Sequence, residues 1–193
     1  MRRKGSPWAS LESMHTAYIA LGGNLSSWAG PPIITLSNAA ERLQALGRVT
    51  RRSSLYRTAP VGFAEQPEFV NAVVELETEL GPGNLLEKLL AIEREFGRNR
   101  RGEIPNGPRT LDLDILLVDE LEVNEPGLEL PHPRMSNRTF VLVPLHEIAP
   151  QLTVPGQGKT VAELLESLKN SHKDDADGVV RMERDSWRTA EHQ

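Results

Sequence analysis

"GPRTLDLDILLVDE", residues 107–120, is the stretch on which the reading of this chain turns. It leaves a Gly- and Pro-marked loop and becomes an apolar strand, with two aspartates at its start. Side chains alternate faces along a strand, so Asp112 and Asp114 point the same way. Leu111, Leu113, Ile115 and Leu117 fill the other face, and the carboxylate face turns apolar at Leu116 and Val118. A strand apolar on both faces is expected at the centre of its sheet. Two like charges, about 7 Å apart at a rise of about 3.3 Å per residue, repel unless a cation stands between them. Mg²⁺ takes one or two carboxylates together with phosphate oxygens. A strand end with two solvated aspartates is the plainer alternative.

The residues around this strand set an order. "TAYIALGGNLSS" gives a strand over residues 16–21 ending in a Gly-Gly-Asn turn. "PPIITLSNAAERLQALG" gives a helix, with Pro32 in its first turn and Gly47 at C′. "RVTRRSSLYRT" reads as one strand and "FVNAVVELETEL", residues 69–80, as another. "GNLLEKLLAIEREFG" gives a helix with Leu85, Leu89, Ile92 and Phe96 on one stripe. After the Asp strand, "NRTFVLVPLHEIAP" suggests a short helix or turn, and "TVAELLESLKN" a last helix capped by Thr160. The order β-α-β-β-α-β is the split βαβ pattern of ferredoxin-like folds, an α+β sandwich with helices packed on an antiparallel sheet. Residues 1–14 are expected to be an extension, 15–169 the domain and 170–193 a polar, frayed tail in which "GVVRM" adds one short strand.

Bulk properties exclude several classes. With 193 residues the chain suits one domain. No apolar run is long enough to span a membrane. There is no cysteine, which fits a reducing cytoplasm, and the net charge of −5 argues against non-specific nucleic-acid binding. Against that acidic background, residues 94–109 hold five arginines and two glutamates. Arg98, Arg100, Arg101 and Arg109 lead directly to the aspartates. A solvated charge run is the bland reading, but guanidinium forks bind phosphate bidentately, and beside a carboxylate pair they make the layout of phosphoryl transfer. Neither common nucleotide cradle is present in the sequence. His132 sits between prolines with Arg134 and Arg138 nearby, and Asn71 is a candidate for reading a heterocycle edge.

Four motifs, "AYIALGGNL", "YRTAPVG…QPEFVNAVVELET", "GRNRR…GPRTLDLDILL" and "LPHPRMSNRTFVLVPLHEIAP", stand in order over residues 16–155. In them the chain closely resembles the 6-hydroxymethyl-7,8-dihydropterin pyrophosphokinases of folate biosynthesis. The resemblance implies a ferredoxin-like fold and transfer of the β,γ-pyrophosphoryl unit of ATP to the pterin hydroxymethyl oxygen, with AMP leaving and two Mg²⁺ ions required. It implies that Asp112 and Asp114 hold both ions. Arg98, Arg100 and Arg109, the last set also counted as catalytic, would contact the triphosphate with His132 and Arg138, and Glu93 would be an ATP-site carboxylate. Thr58, Ala59, Pro60 and Val61 would line the pterin pocket, Phe69 and Phe140 would sandwich the ring, and Asn71 would bond its edge. The implied partners are ATP and the pterin, handled by a cytoplasmic monomer with no nucleic acid or membrane. The chain departs from many relatives at Pro105–Asn106, where they carry Arg-Trp, in a loop one residue longer, and at Gly23, where Ser is common; Arg101 is a candidate to compensate. A palm-like two-metal nucleotidyl transferase and an RNA-binding module on the same fold remain as other readings; the first would release pyrophosphate, the second would need aromatics and a basic face.

Overall fold

The computed structural model describes residues 14–60, 65–100, 106–171, 178–183 and 187. The order is β1 (His15–Gly23), α1 (Pro32–Leu43), β2 (Arg48–Arg52), β3 (Tyr56–Thr58), β4 (Phe69–Thr78), α2 (Pro82–Glu95) and β5 (Asp112–Val118). A hairpin of β6 (Val123–Glu125) and β7 (Leu128–Leu130) follows, then α3 (Thr139–Ile148), the small pair β8 (Thr153–Val154) and β9 (Lys159–Thr160), α4 (Val161–Ser171) and β10 (Val179–Arg181). The main sheet runs β10-β3-β4-β1-β5, with β2 also on β4, and every pairing is antiparallel. That is the ferredoxin-like order expected.

Each layer follows from an apolar stripe. Leu36, Ala39, Ala40 and Leu43 of α1 and Leu85, Leu89 and Ile92 of α2 bury against Ala17, Ile19 and Leu21 of β1. On the other face, Val141, Leu142 and Leu145 of α3 and Leu164, Leu165 and Leu168 of α4 cover Tyr18, Val73, Leu116 and Leu117. The sheet is thus clad on both faces. Thr160 caps α4 as expected, in a reciprocal box in which its amide donates to Glu163 Oε2 at 2.8 Å and the Glu163 amide donates to Thr160 Oγ1 at 3.2 Å.

Several expectations are corrected. β5 is an edge strand, not a central one. Its free edge is protected instead: the Leu113 amide donates to Glu93 Oε1 at 2.9 Å, and the His132 amide donates to Leu116 O at 2.9 Å. A bulge between Tyr18 and Ile19 pairings inserts one residue into β5, so Leu117 joins Leu116 on the carboxylate face and Val118 crosses to the other. "RVTRRSSLYRT" breaks in two, because Ser53, Ser54 and Leu55 face only Ala72 and Val73 of β4. The Ser53 hydroxyl fills the gap by accepting from the Val73 amide at 3.0 Å. Gly47 is not a helix C′; its added Cβ would stand 2.1 Å from Glu77 O, so the residue is there for a close backbone crossing. Finally, among the tail's described residues β10 is the short strand expected of "GVVRM" and joins the sheet, whereas Trp187, expected to be frayed, is 2% exposed. The "short helix or turn" at 139–148 is a ten-residue helix.

Candidate functional site

The site forms where the ends of β1, β3, β4 and β5 meet the start of α3. A cavity of about 550 Å³ opens there, within the usual range for small-molecule sites. Thr58, Ala59, Pro60, Phe69, Asn71, Arg109, Arg138 and Phe140 line it, all singled out in the sequence. Val61 and Arg101 lie outside the described residues, as does Pro105. Asn71 Nδ2 donates to Thr58 Oγ1 at 2.7 Å, which ties β3 to β4 and fixes the amide. The Arg109 guanidinium stands 4.9 Å from the Phe69 ring centre and that of Arg138 5.4 Å from Phe140. Each aromatic wall is therefore paired with a cation.

A second group is assembled beside the cavity, around Glu93, which is 1% exposed at the end of α2. Its carboxylate accepts from the Leu113 amide, from Arg98 Nη1 at 3.2 Å and from Arg100 Nη2 at 2.7 Å. Arg98 Nη1 also donates to Asp112 Oδ1 and to Leu111 O. Arg109 reaches Asp112 from the other side, with Nε 3.1 Å from Oδ2. That contact lacks hydrogen-bond alignment, so the buried Arg109 Nε has no hydrogen-bond partner among the described residues. Arg109 links the two groups: it lines the cavity, and it pairs with the carboxylate.

Asp112 and Asp114 share a face, as their spacing requires, but their surroundings differ. Burial pushes the Asp112 carboxyl up; Arg109 and Arg98 outweigh it and hold it below the ordinary range. Burial pushes Asp114 up, the Asp112 charge adds to this, and His132, Arg138 and Arg109 only partly offset it. Among the described residues Asp114 accepts no hydrogen bond, and its ion-pair partner is His132 Nε2 at 3.9 Å. The Arg134 amide donates to His132 Nδ1 at 3.1 Å, which leaves the ring proton on Nε2, facing Asp114. Burial lowers the His132 pKa against the pull of Asp114, with Arg138 and Arg134 adding to the fall. Burial raises the Glu93 pKa, while the Leu113 amide, Arg98 and Arg100 pull it back.

Among the described residues no three of His, Cys, Asp and Glu gather in a metal-ligand cluster. The described residues here could offer a cation the two carboxylates of Asp112 and Asp114, with phosphate and water to complete its shell. That donor set suits Mg²⁺, which keeps waters and binds phosphates. It does not suit a structural zinc site.

Sequence reading missed Asn24, Gln66, Asn106, Asn137 and Thr139. The last three line the cavity. Asn24 is a clasp: its Oδ1 accepts from the Arg109 amide at 2.9 Å, and its Nδ2 donates to Gln66 Oε1 and Pro67 O. Gln66 Nε2 donates to Asn106 O at 2.9 Å, completing the tie. Asn106 has φ of 59°, a left-handed conformation that Asn tolerates. Only the Gly-Gly-Asn turn hinted at this role for Asn24.

The family model for 7,8-dihydro-6-hydroxymethylpterin-pyrophosphokinase matches residues 18–150. A Synechocystis protein named 2-amino-4-hydroxy-6-hydroxymethyldihydropteridine pyrophosphokinase is 41% identical over 165 residues, 84% of this chain and 81% of that one. One of the same name from Pseudomonas aeruginosa is 47% identical over 148 residues, 77% of this chain and 88% of that one. Among solved structures, the wild-type HPPK-DHPS of Plasmodium falciparum, with pterin and p-hydroxybenzoate, superposes with a TM-score of 0.67 at 15% identity, over 90% of this chain. This chain spans 46% of that longer protein, and the likeness is one of fold.

Proposed function

The chain belongs to the 7,8-dihydro-6-hydroxymethylpterin-pyrophosphokinase family, and on that premise we propose that the cavity holds the pterin while the Glu93 network beside it receives the triphosphate of ATP. The activity is that of an ATP-dependent diphosphotransferase in folate biosynthesis. The pterin hydroxymethyl oxygen bonds to the β-phosphorus and gives up its proton to solvent, the bond from that phosphorus to the oxygen bridging it to the α-phosphorus breaks, and AMP leaves. The observation that carries the reading is Arg109, which lines the cavity and pairs with Asp112 of the Glu93 network beside it. Reaction at a phosphorus needs its two substrates brought end to end, and this residue stands at the junction.

Each side chain has a role in that frame. Phe69 and Phe140 flank the flat ring, and Asn71, fixed by Thr58, bonds its edge. Arg98, Arg100, Arg109 and Arg138 offer guanidinium donors to the phosphates, and His132 offers its Nε2–H. Glu93 holds Arg98 and Arg100 in place. Asp112 and Asp114 would hold two Mg²⁺ ions, which neutralise the triphosphate and polarise the β-phosphorus when bound. Asp114 is the more available ligand, since Asp112 is shared by two arginines. The enzyme is proposed to act as a cytoplasmic monomer on these small molecules, with no nucleic-acid or membrane partner. No helix among the described residues is long and apolar enough to cross a membrane. Incubating the protein with ATP, Mg²⁺ and the hydroxymethyl pterin tests the assignment. AMP and a pterin diphosphate are expected in equal amounts; ADP, or free pyrophosphate without pterin product, would refute it.

A further inference from the structure

Edge strands need a cover, and β10 supplies one for β3. Its position does more than that role requires. Gly178 and Val179 line the cavity, and Val179 pairs with Thr58, itself a cavity residue. The segment is then fastened on both faces of the sheet. On the α3 side, Arg181 Nε donates to Ser54 Oγ at 2.8 Å, and Arg181 Nη2 lies 3.5 Å from Glu147 Oε1. Glu147 also accepts from the Ser54 amide at 2.7 Å, from Ser54 Oγ at 2.9 Å and from Tyr56 Oη at 2.9 Å. Glu147 belongs to α3, whose first turn carries Phe140. On the α1 side, Trp187 Nε1 donates to Ser53 O at 2.6 Å, Arg52 Nη1 donates to Trp187 O at 3.1 Å, and the indole sits in the core.

We propose that Gly178 and Val179 are a working wall of the pterin cleft, and that Arg181 and Trp187 are positioning residues that set the gap between Thr58 on β3 and Phe140 on α3. The inference rests on the pterin reading of the cavity. A plain edge cover accounts for the pairing of β10 with β3. It does not account for two cavity-lining residues at its start, or for an Arg181 held by Ser54 and Glu147, the carboxylate through which Tyr56 of β3 is tied to α3. A slot for a flat ring depends on its width, because stacking contacts decay within fractions of an ångström. Loosening either anchor lets Val179 and Thr58 move relative to Phe140. Glu93, Arg98, Arg100 and Asp112, the hydrogen-bonded part of the triphosphate network, sit at the end of α2, just after it and on β5, and β5 is at the opposite end of the strand order from β10. Loss of an anchor is therefore selective for the pterin.

The test uses the full chain with Arg181→Ala, Trp187→Leu and the conservative Trp187→Phe. Binding of hydroxymethylpterin and of a non-hydrolysable ATP analogue with Mg²⁺ is measured by calorimetry, with circular dichroism to confirm the fold. Arg181→Ala and Trp187→Leu are expected to raise the pterin Kd about tenfold and to leave the nucleotide Kd within about twofold, with Trp187→Phe near wild type. In turnover, KM for the pterin rises while kcat at saturation holds. Arg181 is exposed, so its variant decides the matter should Trp187→Leu not fold. Pterin and nucleotide constants that move together, or a pterin constant that does not move, overturn the inference. A wild-type protein that binds no pterin overturns the proposed function itself, and this inference with it.

Discussion

Arg109 lays its guanidinium 4.9 Å from the centre of the Phe69 ring while its Nε stands 3.1 Å from Asp112. One side chain thus joins an aromatic wall of the cavity to a carboxylate of the proposed phosphate site. Phe140 and Arg138 repeat the pairing across the cavity. Phe69→Ala or Phe140→Ala is expected to weaken pterin binding by about 1–3 kcal/mol, the worth of one stack on a heterocyclic base. Because each ring also seats an arginine, a smaller loss of about 0.5–1 kcal/mol is expected for ATP. Titration of both ligands checks the ratio, and equal losses would mean that the rings serve the core.

The two aspartates are expected to respond oppositely to amidation. In chelator, Asp112→Asn should destabilise the protein by about 1–3 kcal/mol, because Arg98 and Arg109 lose a half-buried charged partner. Asp114→Asn should change stability by less than about 1 kcal/mol, in the stabilising direction, since the side chain is 37% exposed and its charge is disfavoured. Thermal unfolding reads both. Turnover should collapse in either variant.

The pH dependence follows from the same directions. Asp114 has a raised pKa, so the folded state holds its proton more tightly than the unfolded chain. Its contribution is present below the ordinary carboxylate value and is lost as pH rises through the raised one. Asp112 has a lowered pKa, so its contribution is present above the ordinary value and is lost as pH falls toward the lowered one. The stability curve of Asp114→Asn should therefore lie above wild type at neutral pH, and that of Asp112→Asn below it, each closing on wild type in acid. Urea titrations across pH 3–8 would show curves that run parallel if these directions are wrong.

Glu93→Gln should cost about 3 kcal/mol or more, since it leaves Arg98, 8% exposed, beside a neutral amide. Arg100→Ala should cost under about 1 kcal/mol, because Arg100 is 53% exposed. Its effect should appear in the KM for ATP. A large stability loss in Arg100→Ala would assign that residue to the fold.

Asn24→Ala removes the clasp that accepts from the Arg109 amide and donates to Gln66 and Pro67. Asn24 is 4% exposed, so a loss of about 1–3 kcal/mol is expected. KM should rise for both substrates, because Arg109 serves both. A change confined to one substrate would contradict that linkage.

What the sequence discloses here is what period and chemistry can carry. Leu85, Leu89, Ile92 and Phe96 repeat at helical spacing and are all buried. Alternation puts Asp112 and Asp114 on one face. Edge status could not be read, because β5 is buried on both faces by α2 and α3 even though only β1 pairs with it. The bulge at Leu116 and Leu117 leaves no mark in a run of apolar residues. Asn24, Glu147 and Trp187 act across separations of 85 to 134 residues in the chain, where no local pattern points from one partner to the other. The Ser53–Leu55 break was hidden because the hydroxyl that repairs it looks like any strand serine.

Transfer of an intact diphosphate unit is the central claim, and ATP labelled at its β-phosphorus tests it most directly. After reaction with the hydroxymethyl pterin and Mg²⁺, the label should move wholly to the pterin diphosphate, with none in the nucleotide product. Label retained in ADP, or released as free pyrophosphate, would contradict the account.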